Sequence, residues 1–212
     1  NTFEPVSYNL PTGSTTLKFG GGNDTFQIAE AALTELVGLV IDGGVGEDEL
    51  IGPPAALVEE ISNSWIINSE NEGFFNDQVF FADIESLTGP SGRPDTFTFT
   101  DSGRLSGTVT GEAGDSDNIV LQLKVDSTPT RVQYSRTDIQ LNTLPVASFV
   151  DISSSANIEI MGTESDDHME LLPGETAGTV ELRSPADRFA SIIFAQPDSL
   201  LLAPEAGDDA VQ

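Results

Sequence analysis

Carboxylates that follow glycine-rich turns are the residues of this sequence best suited to chemistry. Six short segments each combine small residues, an Asp, and an apolar residue two positions after that Asp. Carboxylate and turn carbonyl oxygens are the ligands that Ca²⁺ prefers, about six to eight at a time. We therefore predict calcium as a cofactor. One Asp from each turn is a candidate metal ligand: Asp24, Asp48, Asp95, Asp117, Asp167 and Asp209.

The pairing of these carboxylates depends on how the turns stack. If successive turns lie one above the other, Asp24 comes next to Asp48, and Asp95 next to Asp117. Two such charges about 5 Å apart repel by ~0.8 kcal/mol even in water. A calcium ion between them reverses the sign, and its binding adds to folding stability because the unfolded chain lacks the site. The alternative is that each Asp only caps its turn by accepting hydrogen bonds from nearby backbone amides.

Catalytic side chains are scarce in this composition. The chain has no Cys and a single His, His168, which follows two Asp residues and is expected to be solvated. A thiol nucleophile is therefore excluded, and a Ser-His-Asp triad would depend on that one side chain. The eight Lys and Arg residues are too few and too dispersed to neutralise a polyanionic substrate. We predict that the chain is not an enzyme.

The net charge of −27 excludes several classes of partner. Nucleic acid and anionic membrane surfaces would both repel such a chain, and no apolar run is long enough to span a membrane. Salt adaptation also explains the acidity, and composition alone does not separate it from cation binding. Because the sequence begins at Asn1 rather than Met, we expect a processed or excised fragment of a larger protein.

A longer repeat lies above the short turn motif. Asp24, Asp95 and Asp167 follow one another at nearly equal intervals along the chain. Fixed periods of this kind indicate stacked repeat architectures. We predict one repetitive segment over 1–212, with units near 15–85 and 86–158 and a shortened third unit over 159–212. Each full unit is expected to contain about three coils of ~22 to 24 residues.

Alternating apolar and polar residues predict strands. The pattern is clearest over Thr96–Thr100 and Ile119–Leu123, where period two combines with β-branched and aromatic residues. Helical patterning is limited to 29–37 and 54–61, and we expect the first of these to be a loop. Short strands at a fixed period without crossover helices predict an all-β fold, a parallel β-solenoid of about nine coils. The alternative is a β-sandwich.

One turn carries a family resemblance. Gly43–Ile51 fits the nine-residue Gly-Gly-x-Gly-x-Asp-x-apolar-x pattern, and so resembles the hemolysin-type (RTX) calcium-binding repeats. Ile84–Gly89 is similar to the unit ends of giant secreted bacterial exoproteins and surface adhesins. The resemblance implies an extracellular or cell-surface location, a right-handed β-roll or β-helix, and bound calcium. RTX turns follow one another directly, whereas the turns here are much farther apart, so isolated calcium sites are expected instead of a ladder.

These patterns predict a structural, non-catalytic segment of an extracellular repeat protein, such as an adhesin stalk, matrix protein or surface filament. Its partners would be neighbouring repeats of the same protein, or further copies in a homotypic fibre. A calcium-responsive secretion or folding module of a larger exoprotein is the alternative. A module that binds a glycan or another cell-surface ligand is a third hypothesis, which requires an exposed aromatic cluster.

Overall fold

The computed structural model shows an all-β protein, as the sequence predicts. It describes residues 14–29, 38–54, 62–90, 92–100, 102–112, 117–124, 130–134, 138–141, 144–150, 152, 156–161, 168–183, 192–195, 199–203 and 210–211. Within these ranges every regular element is a strand, and no helix there could cross a membrane. The two segments with helical patterning lie, apart from their first residues, outside the described ranges.

Twenty strands are numbered along the described chain. They are β1 (Thr15–Lys18), β2 (Thr25–Gln27), β3 (Leu39–Asp42), β4 (Glu49–Ile51), β5 (Asn63–Ser69), β6 (Glu72–Phe75), β7 (Val79–Ala82), β8 (Ser86–Thr88), β9 (Asp95–Phe99), β10 (Thr108–Thr110), β11 (Asn118–Lys124), β12 (Thr130–Tyr134), β13 (Asp138–Leu141), β14 (Leu144–Val150), β15 (Ala156–Met161), β16 (His168–Pro173), β17 (Thr179–Arg183), β18 (Ile192–Ala195), β19 (Ser199–Ala203) and β20 (Ala210–Val211).

The strands form two sheets, and the chain passes back and forth between them. Sheet 1 has nine strands in the order β1-β3-β7-β6-β5-β9-β11-β15-β19. Sheet 2 has eleven, in the order β2-β4-β8-β10-β14-β13-β12-β18-β17-β16-β20. A strand or group of strands in one sheet is thus followed along the chain by a strand or group in the other. Because of this alternation, the connecting turns lie where the chain passes from one sheet to the other.

Parallel neighbours in part of the chain are separated by 22 or 24 residues, within the range expected from the sequence for one repeat of the turn motif. Thr15 pairs with Leu39 in sheet 1, and Thr25 pairs with Glu49 in sheet 2. The two residues of each pair are 24 positions apart in the sequence. Asp24 and Asp48, whose turns are hydrogen-bonded to each other, are separated by the same 24 residues. Farther along the chain, Thr96 pairs with Asn118, a separation of 22 residues that the adjacent turns share. In the stretch from β1 to β4, the two sheets therefore have the same separation between paired strands.

Three antiparallel meanders depart from the all-parallel pairing expected from the sequence. They are β5-β6-β7 in sheet 1, and β12-β13-β14 and β16-β17-β18 in sheet 2. For the first of them, the reason is local turn chemistry. Asn71 (φ 55°), Asn76 (φ 49°) and Asp77 (φ 53°) adopt the left-handed backbone that reverses β5 into β6 and β6 into β7. Asn and Asp tolerate this conformation better than other non-glycine residues.

Inward-facing residues from both sheets form one apolar core. Strand β9 shows the alternation, with Phe97 and Phe99 fully buried and Thr96 and Thr98 half-buried. Trp65, also fully buried, stacks on Phe97 with ring centroids 5.6 Å apart and packs against Phe75 at 4.5 Å. Aromatic contacts of this kind add to the stability gained from buried area. They anchor the first strand of the sheet 1 meander to the next parallel strand.

Candidate functional site: two columns of acidic side chains

The first acidic column consists of Asp24, Asp48 and Glu85. Each residue lies immediately before a strand of sheet 2, so the parallel register of β2, β4 and β8 places the three in successive layers. The Asp24 amide donates to Asp48 Oδ1 at 2.7 Å, and the Asp48 amide donates to Glu85 Oε2 at 2.7 Å. Each of these two carboxylates therefore accepts the backbone N–H of the layer before it. Hydrogen bonds to an ionised acceptor are stronger than those to a carbonyl.

Asn71 continues this column into the meander of sheet 1. Its Nδ2 donates to Glu85 Oε1 at 3.0 Å, and its Oδ1 accepts from the Ser106 amide at 2.9 Å. Both Glu85 oxygens are thus occupied, and Glu85 is 8% exposed. Sequence reasoning missed Glu85 and Asn71 as members of the column. The signal was present in Ile84–Gly89, whose similarity to the unit ends of exoprotein repeats indicated a repeat but not the column.

The second acidic column consists of Asp95 and Asp117, at the entry to sheet 1. The Asp95 amide donates to Asp117 Oδ1 at 2.9 Å, which repeats the layer-to-layer bond of the first column. Asp95 Oδ1 in turn accepts from the Trp65 indole Nε1 at 2.7 Å. Asp95 is fully buried, and Asn63 is its register partner on β5. The column therefore joins a buried carboxylate directly to the aromatic core.

Burial raises the pKa of Asp95 to about 6. The hydrogen bond from Trp65 opposes this change by favouring the charged form, and the neighbouring Asn63 side chain acts in the same direction. The nearby Asp117 charge raises the pKa further, whereas the Arg93 guanidinium lowers it. Desolvation is the largest of these effects, as expected for a carboxyl group moved out of water.

Glycines upstream of the Asp residues make room for the carboxylates. A Cβ atom on Gly43 would lie 2.8 Å from Asp48 Oδ2 and 2.2 Å from the Asp83 carbonyl oxygen. A Cβ atom on Gly89 would lie 2.4 Å from Asp95 Oδ2. Contacts this short do not occur, so only glycine fits at either position. The spacing between Gly and Asp thus follows from the packing of a turn around its own carboxylate.

The structure brings together both Asp pairs predicted from the sequence, but in separate places. Asp24 and Asp48 precede strands of sheet 2, whereas Asp95 and Asp117 precede or begin strands of sheet 1. The sequence had suggested one repeated position, because Asp24, Asp95 and Asp167 recur at nearly equal intervals. The other two candidate ligands, Asp167 and Asp209, lie outside the described residues.

The columns join acceptor oxygens to backbone amides and leave other oxygens without a partner. In the described part of the chain, no three His, Cys, Asp or Glu side chains are grouped as a metal would require. Asp24 Oδ2, Asp48 Oδ2 and Asp95 Oδ2 are buried and accept no hydrogen bond. Such atoms carry a cost that a proton or a cation would relieve. The calcium prediction stays a prediction.

Comparison with known proteins gives no match. No family model, curated protein or solved structure matches this chain.

Proposed function

We propose that this chain is a structural, non-catalytic segment of an extracellular repeat protein, such as an adhesin stalk, a matrix protein or a surface filament. Its architecture in this proposal is a right-handed parallel β-solenoid interrupted by meanders. The described chain visits each sheet seven times, which is fewer than the nine coils expected from the sequence because each meander places three strands in one visit. The supporting observation is that successive layers are joined twice, by backbone pairing and by carboxylate-to-amide bonds. A segment that transmits load along its stack needs connections of both kinds.

Strand direction supports the solenoid over the β-sandwich. A sandwich is built from antiparallel sheets with Greek-key connections. Here the described strands form parallel pairs along most of both sheets, and antiparallel pairs are confined to the three meanders. Where Asp24 stacks on Asp48 and Asp95 on Asp117, the parallel strands that follow keep the same step along the chain. A coil that returns to the same position after each circuit produces this agreement.

The use of the acidic residues supports a structural role. Asp48, Asp95 and Asp117 are almost completely buried and direct one oxygen each at a backbone or indole N–H. Glu85 directs one oxygen at a backbone N–H and the other at the Asn71 amide. Buried carboxylates bonded to their own fold are unlike a recognition surface, which presents its charges to a partner.

A calcium-responsive folding module is the second candidate function. Asp24 Oδ2 and Asp48 Oδ2 are buried without a hydrogen-bond partner in adjacent layers, and the Asp83 carbonyl oxygen lies against the same glycine as Asp48 Oδ2. These oxygens fit a hard cation, with backbone carbonyls completing its ligand set. Bound calcium would supply charge neutralisation between layers. The chain's own groups would hold the turn in place.

The melting temperatures of Asp48 variants distinguish the structural segment from the calcium-responsive folding module. In EGTA, we expect Asp48→Asn to melt close to wild type, because an amide oxygen still accepts the Asp24 N–H. Asp48→Ala removes that acceptor and should cost about 1 to 3 kcal/mol. The measurement is thermal unfolding followed by circular dichroism in EGTA, in millimolar calcium and in molar NaCl. If the segment is purely structural, the melting temperatures of wild type, Asp48→Asn and Asp48→Ala keep the same order with and without calcium.

A calcium site would give a different pattern. Wild type would gain stability with calcium but not with NaCl, and both Asp48 variants would lose that gain because neither keeps the carboxylate. A wild-type chain without β-sheet signal in EGTA would contradict the structural proposal and favour the folding module. Equal stability of Asp48→Asn and Asp48→Ala in every buffer would contradict the assigned hydrogen bond.

A further inference from the structure

The outermost strands of both sheets run in the same direction at the two ends of the stack. Among the described residues, β1 and β2 pair only with β3 and β4, and β19 and β20 pair only with β15 and β16. Every meander contains two reversals, so direction is restored after each one. Strand β19 is therefore parallel to β1, and β20 is parallel to β2. A second copy shifted along the stack could continue both sheets by parallel pairing.

The apolar core also continues to both ends. Leu17 on β1 and Phe26 on β2 are only partly buried, although their register partners in the next layer, Ile41 and Leu50, are fully buried. At the other end, Leu200 and Leu202 on β19 are partly buried against the same core. A further layer on either end would cover these side chains. Burial of apolar surface is the main favourable contribution to association.

Three of the four end strands, β2, β19 and β20, contain none of the charges or prolines that normally prevent edge pairing. Natural proteins protect edge strands with charges, prolines or bulges. Strands β1, β2, β19 and β20 contain no Asp, Glu or Pro, although the chain has 35 acidic residues. Their one charged residue, Lys18, is bound to Asp42 within the same copy. The four end strands themselves therefore carry no acidic side chain.

From these three observations, we propose that the β19–β20 end of one copy binds the β1–β2 end of a second copy, with parallel pairing in both sheets. This inference rests on the proposed structural function and names its partner. Because the two contacting surfaces differ, the association is head-to-tail and can add further copies. At the junction, Leu17 and Phe26 of one copy would cover the inward row of β19 in the other.

Charge substitutions at either end test this docking. Leu17→Glu and Leu200→Glu each place a carboxylate where stacking would bury it without a partner, which strongly opposes association. Thr16→Glu and Leu201→Glu change exposed side chains on the same strands and should act in the same direction without affecting folding. Val150→Glu is the matched control, because Val150 is 49% exposed on a strand paired on both sides.

Sedimentation over a concentration series measures the association. About 0.15 M NaCl screens the net charge to a Debye length of about 8 Å. We expect wild type and Val150→Glu to form growing oligomers, and each end variant to associate at least ~10-fold more weakly. A mixture of one N-end variant with one C-end variant should form a 1:1 dimer and stop, because one unmodified end of each kind remains.

Three results would overturn the docking. They are a wild-type monomer at every concentration, end variants that associate like wild type, and a mixture that stays monomeric. Circular dichroism separates these failures from failure of the proposed function. A monomer with an intact β-sheet spectrum rejects the docking and leaves the structural role, whereas loss of that spectrum in the wild type rejects both.

Discussion

Replacement of Gly44 by Ala should destabilise the fold by more than about 3 kcal/mol, because two costs act at one residue. Gly44 has φ 93°, and a left-handed backbone costs a non-glycine residue roughly 1 to 2 kcal/mol. The added Cβ atom would also lie 2.2 Å from the Gly20 carbonyl oxygen of the neighbouring layer. Backbone atoms cannot move aside as a flexible side chain would, so the two layers would have to separate. Urea unfolding followed by circular dichroism measures the loss.

Gly20→Ala is the matched control for this prediction. Gly20 has nearly the same backbone angle, φ 95°, but a Cβ atom there would meet no atom within 4 Å. It should therefore show only the backbone cost of roughly 1 to 2 kcal/mol. The difference between the two variants isolates the close contact between layers. Equal losses would contradict the stacking of the Gly44 turn on the Gly20 turn.

Asp95→Asn should stabilise the protein at neutral pH and remove part of its pH dependence. The pKa of Asp95 is about 6 in the folded protein, against an ordinary value of 3.8. The folded state thus holds the proton more tightly than the unfolded state. The folding stability gained from this tighter proton binding is complete below about pH 3.8. It is lost as pH rises through about 6, a change on the order of 3 kcal/mol. The Asn side chain keeps an oxygen for the Trp65 N–H and carries no charge.

The measurement is urea unfolding of wild type and Asp95→Asn between about pH 4 and pH 7.5. Trp65 is the single tryptophan, and its indole donates to Asp95, so its fluorescence reports on the bond as well as on unfolding. We expect the stability difference in favour of Asp95→Asn to grow as pH rises from about 4 to about 6 and to level off above that. The prediction fails if the two stability curves stay parallel across this range.

The Asp pairs were predictable from the sequence because they depend on local repetition. Asp24 and Asp48 each end a similar turn, and the following strands place Phe26 and Leu50 in matching positions. A turn of repeated shape and a strand of repeated pattern determine the register without knowledge of distant residues. The same reasoning placed Asp95 beside Asp117.

The meanders and the contact between Trp65 and Asp95 were beyond this reasoning. Trp65 reaches Asp95 because β5 pairs with β9, and that pairing depends on the whole β5-β6-β7 meander reversing twice. The reversals at Asn71 and Asn76 are local signals, but their effect on strand order is not. The spacing of the Asp residues also could not show that the two columns lie beside strands of different sheets, the first at sheet 2 and the second at sheet 1.

The paired reversals of each meander set a rule of parity for how such a chain can change its length. One extra strand in a sheet would turn every later layer to the opposite direction, so the strand of the other sheet that follows the insertion could no longer pair in parallel with the layer before it. Two extra strands leave the direction of all later layers unchanged. Insertions and deletions in relatives of this fold should therefore occur as even numbers of strands in one sheet, or as whole circuits that add one strand to each. The counts of nine and eleven strands differ by two, which agrees with this rule.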